Sequence, residues 1–398
     1  MPGFELFGDE ERKEVNDVLE TGVLFRYGFD PVRQGHWKAR SFEEQLAKRL
    51  GVAYCHLCAS GTTALITALI SCGIGSGDEV IVPPFTFIAT IEAVLAVGAV
   101  PVFAEIDETL CLDPQALKAV ITSRTRAILP VHMCGAMARI DEISQVCEQH
   151  DLILIEDACQ SVGGSFNGKA LGTFGKAGCF SFDPVKTVTC GEGGAIVTDD
   201  STVYTHADAF TDHGHDHKGN DRGLEAHLIL GANFRISELN AAVGVAQLRK
   251  LDMMLDRQRQ TKKAIKDALA QSDKITFRQL PDPDGDTATF LSFFLPDESA
   301  AQKTVKKFGE AGVDGCFNWY ANNWHYISHW DHLKQWHTAA KLPSQSAKHC
   351  PDYQNLTLPK SDDIMRRAIS MQIKLAWTEE QIKQRIEKMM DIIGFLKS

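Results

Sequence analysis

Residues 181–194 read Ser181-Phe-Asp-Pro-Val-Lys186-Thr-Val-Thr-Cys-Gly191-Glu-Gly-Gly194. Two short apolar runs flank the stretch, Cys179 to Phe182 and Ala195 to Thr198, and both pattern as buried strands. Most lysines are solvated. Lys186 instead lies among small residues, where Pro184 stiffens the approach and Gly191, Gly193 and Gly194 permit close backbone packing. A lysine held half-buried loses part of its charged form's solvation, so its amine can attack carbonyls at neutral pH. The stretch therefore predicts a reactive amine on a loop between two strands.

Three further patterns lie outward from it. Leu152 to Gln160, Leu-Ile-Leu-Ile-Glu-Asp-Ala-Cys-Gln, is an apolar strand ending in Glu156-Asp157. That puts a carboxylate at the edge where α/β proteins bind ligands, although Asp157 alone could equally cap a turn. Ala59-Ser60-Gly61-Thr62-Thr63-Ala64-Leu65 joins a strand-like run to a helix. A glycine and hydroxyl residues at a helix start offer free N–H groups and the positive end of the dipole, a cradle for phosphate or carboxylate. An ordinary Ser/Thr cap has the same pattern. Gly231-Ala-Asn233-Phe-Arg235-Ile-Ser-Glu238 places an Asn-x-Arg before a helix beginning near Ser237.

The surrounding chain alternates helices with short strands, which predicts an α/β domain with a mixed, mostly parallel sheet. Strands are expected at Glu79–Val82, Val100–Ile106, Ala127–Val131 and Leu152–Ile155. The Ser41-Phe-Glu-Glu44 capping box predicts a helix running to Gly51, and helices are also expected at Thr62–Cys72 and Thr86–Val97. Beyond Leu255 the pattern changes to a charged helix, Arg257–Ala270, and a turn-rich linker, Pro281–Asp286. Strand-like Phe290–Leu295 and helix-like Ala300–Ala311 follow. The expected organisation is a large domain over residues 1–254 and a smaller α/β domain over 255–398.

The 398 residues carry 41 basic and 52 acidic side chains, a formal charge of −11, which argues against nucleic acid as a partner. No stretch approaches the roughly 20 apolar residues that cross a bilayer. The charged start, Met1–Arg12, lacks an apolar export core, and the 11 cysteines are scattered, so reduced thiols in the cytoplasm are expected. Cys55-x-x-Cys58 lacks the second ligand pair of a zinc site, and His213, His215 and His217 lack a partner of metal-binding geometry, so no metal is expected. Gly73-Ile-Gly75-Ser-Gly77 follows a helix and precedes a strand, the reverse of a dinucleotide loop. That order excludes a nicotinamide-binding reading.

Taken in this order, the S-G-T, E-D-A-x-Q, S-F-x-x-x-K with T-x-G-E-G-G, and N-x-R-x-S-E-L motifs resemble the DegT/DnrJ/EryC1/StrS sugar aminotransferases. These have the aspartate-aminotransferase fold (fold type I) and use pyridoxal 5′-phosphate. The resemblance runs from about Phe7 to the C-terminus. It implies that Lys186 forms the Schiff base, Asp157 pairs with the ring nitrogen, Gln160 meets the ring hydroxyl and Phe87 stacks on the ring. Gly61, Thr62, Thr63 and Ser181 would hold the phosphate. Asn233 would reach the phosphate of a neighbouring subunit, which implies a homodimer with shared sites. A branch with His at the lysine position dehydrates sugars. Lys186 favours transamination, although lysine-bearing aminohydroxybenzoate synthases dehydrate and aromatise their substrates.

Within the family, Asp212-His-Gly-His-Asp-His217 and Val313–His325 are similar to members acting on a sugar acid of lipopolysaccharide. That likeness implies amine transfer, from a donor such as glutamate, to the C8 aldehyde of 3,8-dideoxy-8-oxo-manno-octulosonate. The product would be 8-amino-3,8-dideoxy-manno-octulosonate (Kdo8N). His215, His217, Arg235, Trp324 and His325 are the implied substrate contacts, with Arg235, Lys218 and Arg26 as candidate cations for the carboxylate. The competing readings are a nucleotide-linked keto-sugar or keto-inositol acceptor and a non-catalytic regulator on the same fold.

Overall fold

In the computed structural model, residues 3–219, 221–346 and 350–394 are described. The main strands are β1 (Tyr54–Cys58), β2 (Glu79–Val82), β3 (Val100–Phe103), β4 (Thr125–Ile128) and β5 (Ile153–Asp157). A hairpin of β6 (Ser165–Phe166) and β7 (Lys169–Ala170) precedes β8 (Ala177–Ser181) and β9 (Gly194–Thr198). Seven of these form one sheet in the order β1-β9-β8-β5-β4-β2-β3. Only β9 runs against its neighbours; every other adjoining pair is parallel. The C-terminal ends of β1, β5 and β8 therefore share one edge. Strands buried on both faces read as continuous apolar runs, as β2 and β8 do. Phe85, Ile91, Ile128 and Ile155 lie in one core cluster, and Phe42, Leu57, Phe180 and Phe182 in another. Each such buried side chain is worth about 1.5–3 kcal/mol.

Toward the C-terminus, β10 (Thr276–Phe277), β11 (Phe290–Phe294), β12 (Cys316–Phe317) and β13 (Ala368–Gln372) form an antiparallel sheet ordered β10-β11-β13-β12. Leu269, Phe293, Phe308, Met371 and Met389 fill its core with helices Leu251–Leu269, Glu298–Glu310 and Glu379–Gly394. Among the described residues, no helix is long and apolar enough to cross a membrane.

Some boundaries depart from the local patterns. The helix expected to open at Ser41 spans Lys38–Leu50. The Glu238 carboxylate caps it, accepting from the Lys38 and Ala39 N–H groups at 2.6 and 3.3 Å. Ser41 accepts from Gln45 Nε2 instead. The helix expected from Thr86 begins at Ala89, because Thr86 N donates to His325 O at 2.9 Å and stays in the preceding loop. The helix expected from Arg257 starts at Leu251. Within the expected linker, Pro283–Gly285 forms one 3-10 turn and Asp286 is a buried partner of Lys262.

Candidate active site

The shared C-terminal edge of β1, β5 and β8 opens onto a cavity of about 390 Å³. Beyond β1, Ser60 caps helix Gly61–Ser71: its Oγ accepts from Thr63 N at 3.1 Å, and Thr63 Oγ1 accepts from Ser60 N at 2.9 Å. The cap leaves the Gly61 and Thr62 N–H groups, at the head of the helix, available to a ligand. A Cβ at Gly61 would lie 2.6 Å from Ser181 Cβ, and one at Gly194 would lie 2.2 Å from Ser60 O. Only glycines let β9 and Ser181 close on this turn. Gly61, Thr62 and Ser181 line the cavity. Thr63 does not; its hydroxyl is spent on the cap, also donating to Ser60 O.

Asp157 ends β5 and lines the cavity, its Oδ1 accepting from Cys159 N at 3.1 Å and its Oδ2 from Thr90 Oγ1 at 2.8 Å. Gln160 is oriented from behind. Cys134 N donates to its Oε1 at 2.9 Å, and since a backbone N–H only donates, Gln160 Nε2 is the end left for a ligand. Cys134 holds a left-handed φ of 57° to present that N–H. Lys186 follows β8 and is 9% exposed, with Nζ 3.5 Å from Asp183 Oδ2. Phe87 flanks the cavity and is partly open to solvent. Burial pushes the Cys159 thiol far above its ordinary value, so this cavity-lining sulfur stays protonated and a poor nucleophile. Among the described residues, Lys186 is the only cation lining the cavity, against Asp157, Asp183 and Glu192.

Trp324 and His325 adjoin this site. Their rings stack at 5.1 Å, and His325 meets Phe87 edge-on at 5.7 Å. Burial, with Lys186 nearby, pushes the His325 imidazole down to about 3, so the ring is neutral. The remaining sequence-based candidates are not brought to the cavity. Asn233 is exposed and bridges backbone to backbone with Asp212. His215 pairs with Glu225 at 2.9 Å, and Arg235 and Arg222 both bind Asp212. Arg26 is buried against Glu43 and Leu57 O. Within one chain the polar groups of His217, Arg235 and Arg26 are engaged by internal carboxylates and a carbonyl, and neither they nor His215 line the cavity. Among the described residues there is no group of three His, Cys, Asp or Glu arranged to hold a metal.

His217 bridges Asp208 at 2.7 Å and Asp212 at 2.8 Å and stacks on Tyr27 at 3.9 Å. Burial opposes its charged form, but the two carboxylates outweigh burial and hold it up at about 9. Its ordinary value is 6.5, so the stabilisation is complete below that pH and is lost as pH rises through about 9. The expected NMR titration midpoint of the His217 ring is near 9, falling in Asp208→Asn. A midpoint at the ordinary histidine value would show that the ring is not bridged.

Sequence reasoning missed Thr86, Thr90 and Asp183, which all line the cavity, and the Cys134 N–H behind Gln160. Only the four-residue spacing of Thr86 and Thr90 offered a local signal, since it puts two hydroxyls on one side of a helical turn.

The DegT/DnrJ/EryC1/StrS aminotransferase family matches residues 6–390. The chain is 37% identical over 315 residues to L-glutamine:scyllo-inosose aminotransferase of Streptomyces griseus, covering 76% of this chain and 73% of that protein. The crystal structure of 3-amino-5-hydroxybenzoic acid synthase superposes with a TM-score of 0.83 at 29% identity, over 98% of this chain and 97% of that one. NtdA of Bacillus subtilis, solved with bound cofactor PMP, shares the fold with a TM-score of 0.80 at 24% identity, over 99% of this chain and 84% of that one. With motifs, topology and cavity in agreement, the chain belongs to the DegT/DnrJ/EryC1/StrS family of pyridoxal 5′-phosphate-dependent aminotransferases.

Proposed function

We propose that Lys186 carries the cofactor aldehyde and that the chain moves an amino group from an amino acid to a carbonyl of a polyhydroxylated sugar or cyclitol. The observation that carries this reading is the convergence of Lys186, Asp157, Gln160 and the Gly61 turn on one cavity. The donor set fits the cofactor: N–H groups at a helix head and the Thr62 and Ser181 hydroxyls suit its phosphate, and the glycine at 61 lets Ser181 close on that helix head. Bound pyridoxal phosphate supplies an aldehyde that exchanges amines and a ring that takes up electrons from a broken C–H bond. In this reading Asp157 keeps the ring nitrogen protonated, Gln160 Nε2 donates to the ring hydroxyl oxygen, and Phe87 covers one face. The Lys186 amine, once freed, carries the proton to and from the substrate carbon.

Asn233 is exposed and lies outside its own chain's cavity, which supports a second copy receiving it. Leu224, Leu228 and Leu230, exposed on the Asn233 hairpin, supply apolar surface for that contact. Mixing inactive Lys186→Ala chains with Asn233→Ala chains should then restore sites that carry both native residues. Absence of complementation would sink the shared site.

For the acceptor we read 3,8-dideoxy-8-oxo-manno-octulosonate, giving Kdo8N, with a cytoplasmic enzyme serving lipopolysaccharide synthesis. Its support is the motif likeness at residues 212–217 and 313–325, with Trp324 and His325 beside Phe87. The second reading, a keto-inositol with glutamine as donor, is favoured by the scyllo-inosose relative. The deciding assay offers glutamate and glutamine with the octulosonate aldehyde, scyllo-inosose and a nucleotide-linked 4-keto-sugar, reading amine by mass spectrometry. Amination of the octulosonate alone upholds the first reading. Amination of scyllo-inosose alone replaces it, and no amine from any acceptor overturns both.

A further inference from the structure

Thr86 and Thr90 carry none of the roles above, yet both are buried at the cavity. Thr90 Oγ1 donates to Asp157 Oδ2 at 2.8 Å, and Thr86 Oγ1 lies 2.6 Å from Thr90 Oγ1. A carboxylate only accepts, so the single Thr90 proton goes to Asp157 and Thr86 must donate to Thr90. The chain of hydroxyls thus has one direction, Thr86 to Thr90 to Asp157. With Cys159 N on Oδ1, both carboxylate oxygens are anchored. The loop bearing Thr86 also carries Phe87, and Thr86 N is tied to His325 O at 2.9 Å. The other ionisable groups around Asp157 are Lys186, Asp183 and Glu192 at the cavity, the Cys159 and Cys179 thiols, and Glu156, which is paired with His132.

We propose that Thr86 and Thr90 are positioning residues that hold the Asp157 carboxylate in one orientation toward the cofactor ring nitrogen and couple it to the Phe87 loop. The inference rests on the reading of Asp157 given above. Without the Thr90 hydroxyl, Oδ2 loses its donor and the carboxylate is freer to rotate. A carboxylate turned away from the ring nitrogen would leave that nitrogen less fully protonated. A less cationic ring makes the lysine-bound nitrogen more basic, so the visible absorption of the loaded protein changes at a higher pH.

The test uses the full chain loaded with pyridoxal phosphate. The expected result for Thr90→Val is a midpoint raised by about one pH unit, the equivalent of one hydrogen bond to a charged group. Its kcat should fall about tenfold with little change in the KM of the amino donor, the pattern of a loss felt in the transition state. Thr90→Ser should restore both, and Thr86→Val should shift the midpoint the same way by less. An unchanged midpoint in Thr90→Val, with native melting temperature and cofactor content, overturns the proposal. If Thr90→Val fails to fold, an unchanged midpoint in Thr86→Val does so instead. Wild-type protein that forms no lysine-linked visible band would overturn the reading of Lys186 itself, a failure distinct from that of the hydroxyl chain.

Discussion

Lys186→Ala is expected to lower amine transfer by at least about 10³-fold while leaving the protein folded and able to take up pyridoxal phosphate. Two effects combine. In the proposed reading the amine that would link the cofactor is gone, and with it the cavity base that would carry a proton between carbons, a service worth about 10²–10⁴-fold by itself. The remaining donors, at Gly61, Thr62, Ser181 and Gln160, do not depend on the lysine side chain, so binding should persist as a dissociable complex. Borohydride treatment followed by peptide mapping checks this: wild type should carry the label on Lys186 and the variant none. Multiple turnover at a wild-type rate, or a label on another lysine, would remove Lys186 from the mechanism.

Asp157→Asn is expected to cost about 10²–10³-fold in kcat, the scale of removing one preorganised electrostatic group. The amide is nearly isosteric but uncharged, so it cannot favour a protonated ring nitrogen. It also has a single acceptor oxygen where the native side chain offers two, one to Cys159 N and one to Thr90 Oγ1. One of those donors must turn or go unpaired, and a melting temperature lowered to match a loss of about 1–3 kcal/mol is expected. Reconstitution with N-methylated pyridoxal phosphate, whose ring charge is permanent, should recover part of the lost rate. Equal activity of the variant and wild type with the natural cofactor would show that Asp157 does not set the ring's charge.

The legible part of the site is what covalent neighbours position. Lys186 lies five residues beyond Ser181, the last residue of β8, Asp157 is the last residue of β5, and Gly61 follows its own cap. In each case a strand end or a cap decides where the residue lies, and both leave local patterns. Thr63 shows the limit of that reasoning: the S-G-T-T run suggested a phosphate ligand, and the hydroxyl went to the cap.

From its order of strands, helices and glycines, this sequence by itself determined a mixed α/β sheet with a lysine between two strands, a strand-end carboxylate and a capped helix head. Those features depend on residues a few positions apart, where periodicity and turn chemistry act. Only the tertiary structure decided what surrounds them. Glu238 caps a helix 200 residues away, Thr90 reaches Asp157 across 67 residues, and Cys134 turns the Gln160 amide. His215, His217 and Arg235 of the 212–235 hairpin went to carboxylates in the same way. A buried polar group must find a partner wherever folding brings one, and that choice is made by three-dimensional proximity, which no local spacing encodes.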